Sequence, residues 1–309
     1  MTYEEHLYNL IKDDERFIVL TSENRSSIRG LPDLIKGRFI DTGISEQTLI
    51  GVSAGLALRK RIPLIHAIGA FITMRAFEFI RTDIAYPNLP IKTAATFTGF
   101  LSEGNGPTHQ AVEDLALMRT MPNMIIFCPA DELDLLIGLK DVIHLNKPCY
   151  IRLNHLPPAY NHSINFEIGK AEVCHQSAES CKVTLLTYGT LFKEAVKTYK
   201  ILEEYGITVR LINMRFLQPV DEVVLVNSCY DSELIVTIED HYIYGGLYSI
   251  LCELFVRKGI IKRVLPFALE NKWFAPSYLD RAIQHEGLAG EIIANKIIKQ
   301  LGGTNAEQG

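Results

Sequence analysis

Short apolar runs rich in β-formers alternate with stretches of helical spacing along nearly the whole chain. Phe17-Ile-Val-Leu20 is bounded by polar residues, as a strand of a parallel sheet is. Apolar positions then recur at helical spacing over residues 44–58, and Pro63 to Ile68 reads as the next strand. A helix over residues 75–86 is stopped by Pro87, and residues 92–97 form a strand before a Gly-rich loop at 99–106. Pro107 suits the first turn of a helix running to about residue 121, because its missing N–H is not needed there. Strand 124–128, helix 131–145 and strand 149–153 complete a first α/β unit.

Residues 156–182 are more polar and hold one short strand, 172–174. The alternation then restarts with strand 183–188, helix 191–205, strands 207–212 and 233–238, and helices 246–257 and 287–301. Strands separated by helices of this length imply right-handed βαβ units and mainly parallel sheets. The expected fold is α/β, with two three-layer α/β/α domains at 1–160 and 183–302, a linker at 161–182 and a disordered tail at 303–309.

Composition narrows the function without naming it. The 309 residues are 48% apolar and 22% charged, with a formal charge of -5, so no basic footprint for nucleic acid or an anionic membrane exists. Charges interrupt every apolar stretch short of the roughly 20 residues that a membrane span needs. Acidic residues stand near Met1 where a signal peptide carries basic ones, so a cytoplasmic protein is expected. The six cysteines lie singly at no metal-like spacing, and read as buried thiols.

Four segments carry candidate chemistry. In Asp41-Thr-Gly-Ile-Ser-Glu46, a carboxylate sits in the first turn of a mostly apolar helix. Glu46 there either complements the helix dipole, with Ser45 or Asp41 as the cap, or is a buried acid able to share a proton with a ring nitrogen. Gly104-Asn-Gly-Pro-Thr-His109 places Thr108 and His109 at a helix start behind a loop that can approach a ligand closely. Phe71, taken to close a strand, is either a core aromatic or the wall for a flat ring, and Arg81 and Asp83 face solvent or pair across an interface. Glu239, Asp240 and His241 end a strand before Gly245-Gly246, where a structural turn is the favoured reading.

Together these segments resemble the transketolase family. The matching runs are Arg38-Phe-Ile-Asp-Thr-Gly-Ile-Ser-Glu-Gln47, Arg75-Ala-Phe-Glu-Phe-Ile-Arg81, Ala85-Tyr-Pro-Asn-Leu-Pro90 and Gly106-Pro-Thr-His-Gln-Ala-Val-Glu-Asp-Leu-Ala-Leu-Met-Arg119. Pro122-Asn-Met124, Pro129-Ala-Asp131 and Glu239-Asp-His-Tyr-Ile-Tyr-Gly-Gly246 extend the match over most of the chain, in the family's order. The resemblance implies a pyrimidine-binding domain followed by the transketolase C-terminal domain, with thiamin diphosphate as cofactor. In the family the diphosphate and Mg²⁺ lie on another domain, marked by Gly-Asp-Gly and a downstream Asn; this sequence contains no Gly-Asp-Gly. The chain therefore looks like the C-terminal subunit of a split transketolase. Its implied partner is an N-terminal subunit holding Mg²⁺ in an α2β2 heterotetramer, with neither nucleic acid nor membrane involved.

Carried over by position, Glu46 matches the acid that binds N1′ of the aminopyrimidine, and Phe71 the aromatic packed on that ring. His109 matches the histidine facing substrate hydroxyls, while Asp41 and Gly43 shape the turn before Glu46. The sequence also departs from the family. Ile68 replaces an aromatic, Phe97 a histidine that helps hold sugar phosphate, and Asn105 an aspartate that reads a hydroxyl. Gln218-Pro219 stands for Lys-Pro, and the Trp273-Phe-Ala-Pro276 region for Phe-Gly-x-Ser-Gly. Arg152 is the candidate to compensate at the substrate end. The implied reaction moves a two-carbon ketol unit between sugar-like molecules, with an unphosphorylated or modified substrate. The alternatives are a 2-oxo acid dehydrogenase-type β subunit or acyloin-forming enzyme, and a non-catalytic scaffold, against which Glu46, Phe71 and His109 together argue.

Overall fold

The computed structural model describes residues 1–270 and 272–302, except for the Cys229 side chain; the expected disordered tail and that one cysteine lie outside this description. Twelve strands fall in two sheets. The first contains β1 (Phe17–Thr21), β2 (Phe39–Asp41), β3 (Ile62–Ile68), β4 (Lys92–Thr96), β5 (Ile125–Phe127) and β6 (Cys149–Arg152). The second contains β7 (Glu172–Gln176), β8 (Val183–Thr187), β9 (Val209–Asn213), β11 (Leu234–Tyr242) and β12 (Val264–Leu269). Between β9 and β11, strand β10 (Phe216–Gln218) leaves its own half of the chain and pairs antiparallel with β5, giving the first sheet the order β10-β5-β6-β4-β3-β1-β2. The second sheet runs β12-β11-β8-β9-β7, with only β7 antiparallel. The central strands β1, β4, β8 and β9 are buried along their whole length; β1 and β8 accordingly read as continuous runs of apolar residues and threonine, while β4 and β9 also bury Lys92, Arg210 and Asn213.

One apolar cluster crosses between the two halves, joining Leu115 and Met118 to Leu247 and Leu251. The crossing strand adds polar ties: the Gln218 amide donates to the carbonyls of Met121 at 2.6 Å and Met124 at 2.9 Å.

Several elements depart from the sequence pattern. A helix at Tyr3–Ile11, closed by a Thr2–Glu5 capping box, precedes β1. The segment after β3 is helical from Phe71 onward, so Phe71 opens a helical run and closes no strand. The helix expected from Pro107 is replaced by a tight 3-10 segment, Glu103–Thr108, irregular chain, and a short helix, Asp114–Met118. Gly106 breaks regularity there, with φ 68° and ψ -160°. β11 continues to Tyr242, which puts Glu239, Asp240 and His241 inside a strand. Ser45 makes no side-chain cap; its hydroxyl donates to the carbonyl of Thr42 instead.

Candidate active site

Every parallel strand of the first sheet points its carboxyl end toward one edge, and the chain changes winding direction between β1 and β3. Open α/β sheets bind ligands at such a switch point. Glu46 begins the helix Glu46–Leu58 that follows β2, and Phe71 begins the helical run after β3. His109 ends the loop that follows β4.

Glu46 is 2% exposed, at a helix N-terminus that favours its negative charge. Its Oε2 accepts a hydrogen bond of 2.7 Å from Arg75 Nη1. Its other oxygen takes no hydrogen bond among the described residues. The same guanidinium lies 4.5 Å from the centre of the half-buried Phe71 ring, a cation–π contact. The His109 ring meets Phe71 edge-on at 4.9 Å, and its Nδ1 lies 2.9 Å from the Thr108 hydroxyl. Arg75 thus links Glu46 to Phe71, and Phe71 in turn meets His109. Arg75 belongs to a run matched to the family, but was not singled out as a site residue. Its spacing of four from Phe71 in a helical segment is the signal that could have found it.

The neighbouring positions shape this edge. Asp41 accepts from Arg25 and from the backbone N–H groups of Gly43 and Glu23, at 3.0 and 3.1 Å for the last two. Burial opposes charge on Asp41, but these hydrogen bonds outweigh it and hold the carboxyl below its ordinary value. Gly43 takes a φ of +67° to turn the chain into the helix. Ile68 ends β3 opposite Thr96, and Phe97 follows with φ 55°. Asn105 is exposed, its amide 3.4 Å from the Ser102 hydroxyl.

Arg152 is not available to a substrate. It is 2% exposed and bonds Asp114 at 3.0 Å, Asp240 at 2.8 Å and the carbonyl of Ala111 at 3.2 Å. Tyr150 adds a 2.6 Å bond to Asp114. The flanking apolar positions of β6 carry the arginine into the junction between the two sheets, where it fixes the base of the His109 loop. Next to it, Glu239 caps the helix Leu247–Lys258 by accepting from the N–H of Leu247 at 2.7 Å and of Tyr248 at 3.0 Å. Burial pushes this carboxyl up to about 7. A side chain at Gly246 would meet Glu239 at 2.1 Å, which accounts for the glycine.

His162, Glu172 and Cys174 bring ligand atoms within 4.8 Å of one another. Both His162 nitrogens already face carboxylates, Asp131 at 3.1 Å and Glu172 at 2.7 Å, and Arg215 lies 3.1 Å from Glu172. That group is saturated as a salt-bridge network.

The fold is that of a two-domain α/β protein with a buried acid, an aromatic face and a histidine at the carboxyl edge of its first sheet. The transketolase pyrimidine binding domain matches residues 2–156, and the transketolase C-terminal domain matches residues 169–279. The chain belongs to the transketolase family. It is 30% identical to a Methanocaldococcus jannaschii protein named as a transketolase C-terminal section, over 97% of this chain and 95% of that one. It is 31% identical to the 6-deoxy-6-sulfo-D-fructose transketolase subunit SqwH of Clostridium sp. (strain MSTE9), over 82% of this chain and 79% of that one. Against 1-deoxy-D-xylulose-5-phosphate synthase of Dictyoglomus thermophilum, identity is 33% over 85% of this chain, which spans only 43% of the synthase. Among solved structures, a split-gene transketolase described as an inactive β4 tetramer superposes with a TM-score of 0.83 at 32% identity, covering 96% of this chain and 95% of that one. Among the described residues, no helix is long and apolar enough to cross a membrane.

Proposed function

We propose that the chain is the pyrimidine-binding half of a thiamin-diphosphate-dependent transketolase, and that it transfers a two-carbon ketol unit between sugar-like substrates when joined by a subunit that holds the diphosphate and Mg²⁺. The observation that carries this reading is the open Glu46 oxygen beside the half-buried face of Phe71. An aminopyrimidine presents a ring nitrogen and a flat face, so this pair suits it. When bound, the cofactor supplies the carbon nucleophile that cleaves and forms the C–C bond. Glu46 exchanges a proton with the ring nitrogen N1′, in a site where helix dipole and burial act on the carboxyl together. Phe71 orients the ring, and His109 donates to or accepts from substrate hydroxyls.

Two observations support a separate partner. This chain covers 95% of the archaeal C-terminal section and 95% of the split-gene structure, and its sequence lacks the Gly-Asp-Gly motif. The β4 neighbour is described as inactive, which is the behaviour expected of this half without its partner. Similarity to the synthases keeps one other reaction in view, acyl transfer from a 2-oxo acid. Reconstitution with the N-terminal partner, thiamin diphosphate and Mg²⁺ distinguishes the two. Ketol transfer from hydroxypyruvate that needs both chains is the expected result; turnover of pyruvate alone would assign the chain to the acyl-transfer side.

A further inference from the structure

A cavity of about 500 Å³ opens on the carboxyl edge of the first sheet, away from Arg75 but on the same edge as Glu46 and Phe71. Ser26 and Ser27 reach it from the loop after β1, Phe97 from the end of β4, Glu132 from the chain after β5 and His155 from the chain after β6, with Tyr3 closing it from the N-terminal helix. Phe97 thus stands on the cavity wall, at the head of the loop that ends in His109. Thr96 on its wall pairs with Ile68, three residues before Phe71, so the cavity lies at the strand end next to the one that leads to the cluster, a place for the far end of a substrate held there by its reacting end.

Among the described residues, the lining contains no lysine or arginine. Its formal charges are the carboxylates of Glu4 and Glu132, and Glu4 is already engaged by the backbone N–H groups of Gly30 and Leu31. The Ser27 hydroxyl lies 2.9 Å from His155 Nε2, and His155 Nδ1 lies 3.9 Å from Glu132. Burial lowers the His155 pKa, so the imidazole is neutral near pH 7. The Ser27, His155 and Glu132 order resembles a nucleophilic triad. At 3.9 Å, however, the acid is too far to orient the ring by a hydrogen bond, which leaves binding as the role these groups can serve.

A phosphate or sulfonate entering this cavity would give up its water, find no cation and face Glu132. Neutral hydroxyl groups would instead donate to Glu132 and His155 and accept from the serines. We propose that this cavity holds the far end of the substrate and selects an uncharged, hydroxyl-bearing chain over a phosphorylated or sulfonated one. The proposal rests on the ketol-transfer reading above.

The test compares three ketose donors that share one reacting end: D-fructose, fructose 6-phosphate and 6-deoxy-6-sulfo-D-fructose. Each is assayed with glycolaldehyde as acceptor, using the complex with the diphosphate-binding partner, thiamin diphosphate and Mg²⁺. Fructose should exceed both anionic donors in kcat/KM by tenfold or more. A higher kcat/KM for either anionic donor overturns the selectivity while leaving ketol transfer intact. No thiamin-dependent transfer from any donor overturns the underlying reading, and this proposal with it. Placing a cation in the cavity provides the second arm. His155→Arg, and independently Ser27→Lys, should move the ratio tenfold or more toward the phosphorylated donor. An unmoved ratio in both soluble, folded variants would show that the far end lies elsewhere, and overturn the proposal.

Discussion

Two polar regions of this molecule use similar residue types in opposite ways. At the junction of the sheets, Arg152, Asp114 and Asp240 are each 2% exposed or less, and the guanidinium binds both carboxylates and a backbone carbonyl. At the edge of the first sheet, Arg75 is 43% exposed at its side chain, and binds Glu46 through one oxygen only. Asp114 Oδ1 and Asp240 Oδ2 take no hydrogen bond among the described residues, but both are sealed from solvent, so this network offers a ligand no way in and serves to fix two domains in one arrangement. An acid with an open oxygen beside an aromatic face keeps its remaining interactions for something the chain does not itself supply. The distinction lies in access, because both clusters contain a buried acid paired with an arginine and both leave a carboxylate oxygen without a hydrogen bond.

The largest expected effects separate these two roles. Glu46→Gln keeps a hydrogen-bond acceptor of the same shape but cannot supply a proton. Turnover of the assembled complex should fall by roughly 10²–10⁴-fold, with urea unfolding of the chain shifted by no more than about 1 kcal/mol, the worth of its ion pair with Arg75. Exchange of the thiazolium C2 proton measures the step directly, and an unchanged rate would remove Glu46 from the chemistry. Arg152→Met should do the converse. It strands two carboxylates away from water, and loss of one partner from a buried pair costs about 3–5 kcal/mol. If the urea midpoint of this variant matched the wild type, the junction would not be the structural tie described here.

A third prediction uses pH to probe a second buried network. Burial disfavours charge on His162, but its hydrogen bonds to Asp131 and Glu172 outweigh that and push its pKa up to about 9. The folded state therefore binds a proton that the unfolded chain releases near its ordinary value of about 6.5. The resulting stabilisation is full below that value and is lost as pH rises through 9. Glu172 runs the other way. Desolvation raises its pKa, but hydrogen bonds from His162 and the Ser163 N–H, with the nearby Arg215 charge, lower it to about 2, so its contribution is lost as pH falls toward that value. Unfolding free energy measured from pH 6 to 10 should decline in the wild type and lie flatter in His162→Gln. Parallel curves for the two proteins would refute the assignment.

Much of the fold was legible because buried parallel strands are continuous apolar runs, as in Phe17-Ile-Val-Leu20, and because the helices between them carry a clear period. The failures share one cause, which is that tertiary contacts decide what local sequence does not. Residues 107–121 have helical spacing, yet the carbonyl of Ala111 serves Arg152 and Gly99, and that of Val112 serves Tyr242, so the chain there is held out of a helix. β10 has no local sign that it pairs with β5 of the other half. The helix at Tyr3–Ile11 does have one, the Thr2 and Glu5 pair of its capping box. Arg152 drew interest as a cation near the substrate end, although its flanking Ile151 and Leu153 were the better guide to its burial. Glu46, Phe71 and His109 are scattered over more than sixty residues, and only the family resemblance groups them in the sequence; in the structure Arg75 ties Glu46 to Phe71, and Phe71 meets His109.

The smallest predicted effect belongs to Arg75 itself. Its ion pair with Glu46 is partly exposed, so about 0.2–1 kcal/mol is expected from it. The stacking on Phe71 adds about 0.5–1 kcal/mol at an exposed site. Together these amount to roughly 1–2 kcal/mol, or about five- to thirtyfold in an equilibrium constant. Arg75→Ala should weaken thiamin diphosphate binding to the assembled complex by that factor, because Glu46 and Phe71 lose the group that fixes both. Arg75→Lys keeps the charge on Glu46 but not the flat cation on the ring, and should recover part of the loss. Arg25→Ala serves as the control: its partner Asp41 shapes the turn rather than the ring face, so cofactor affinity should move less than threefold. Equal losses in Arg25→Ala and Arg75→Ala would mean that removing any cation from this edge weakens the cofactor. The contrast between the accessible cluster and the sealed one would then rest on Glu46 and Phe71 alone.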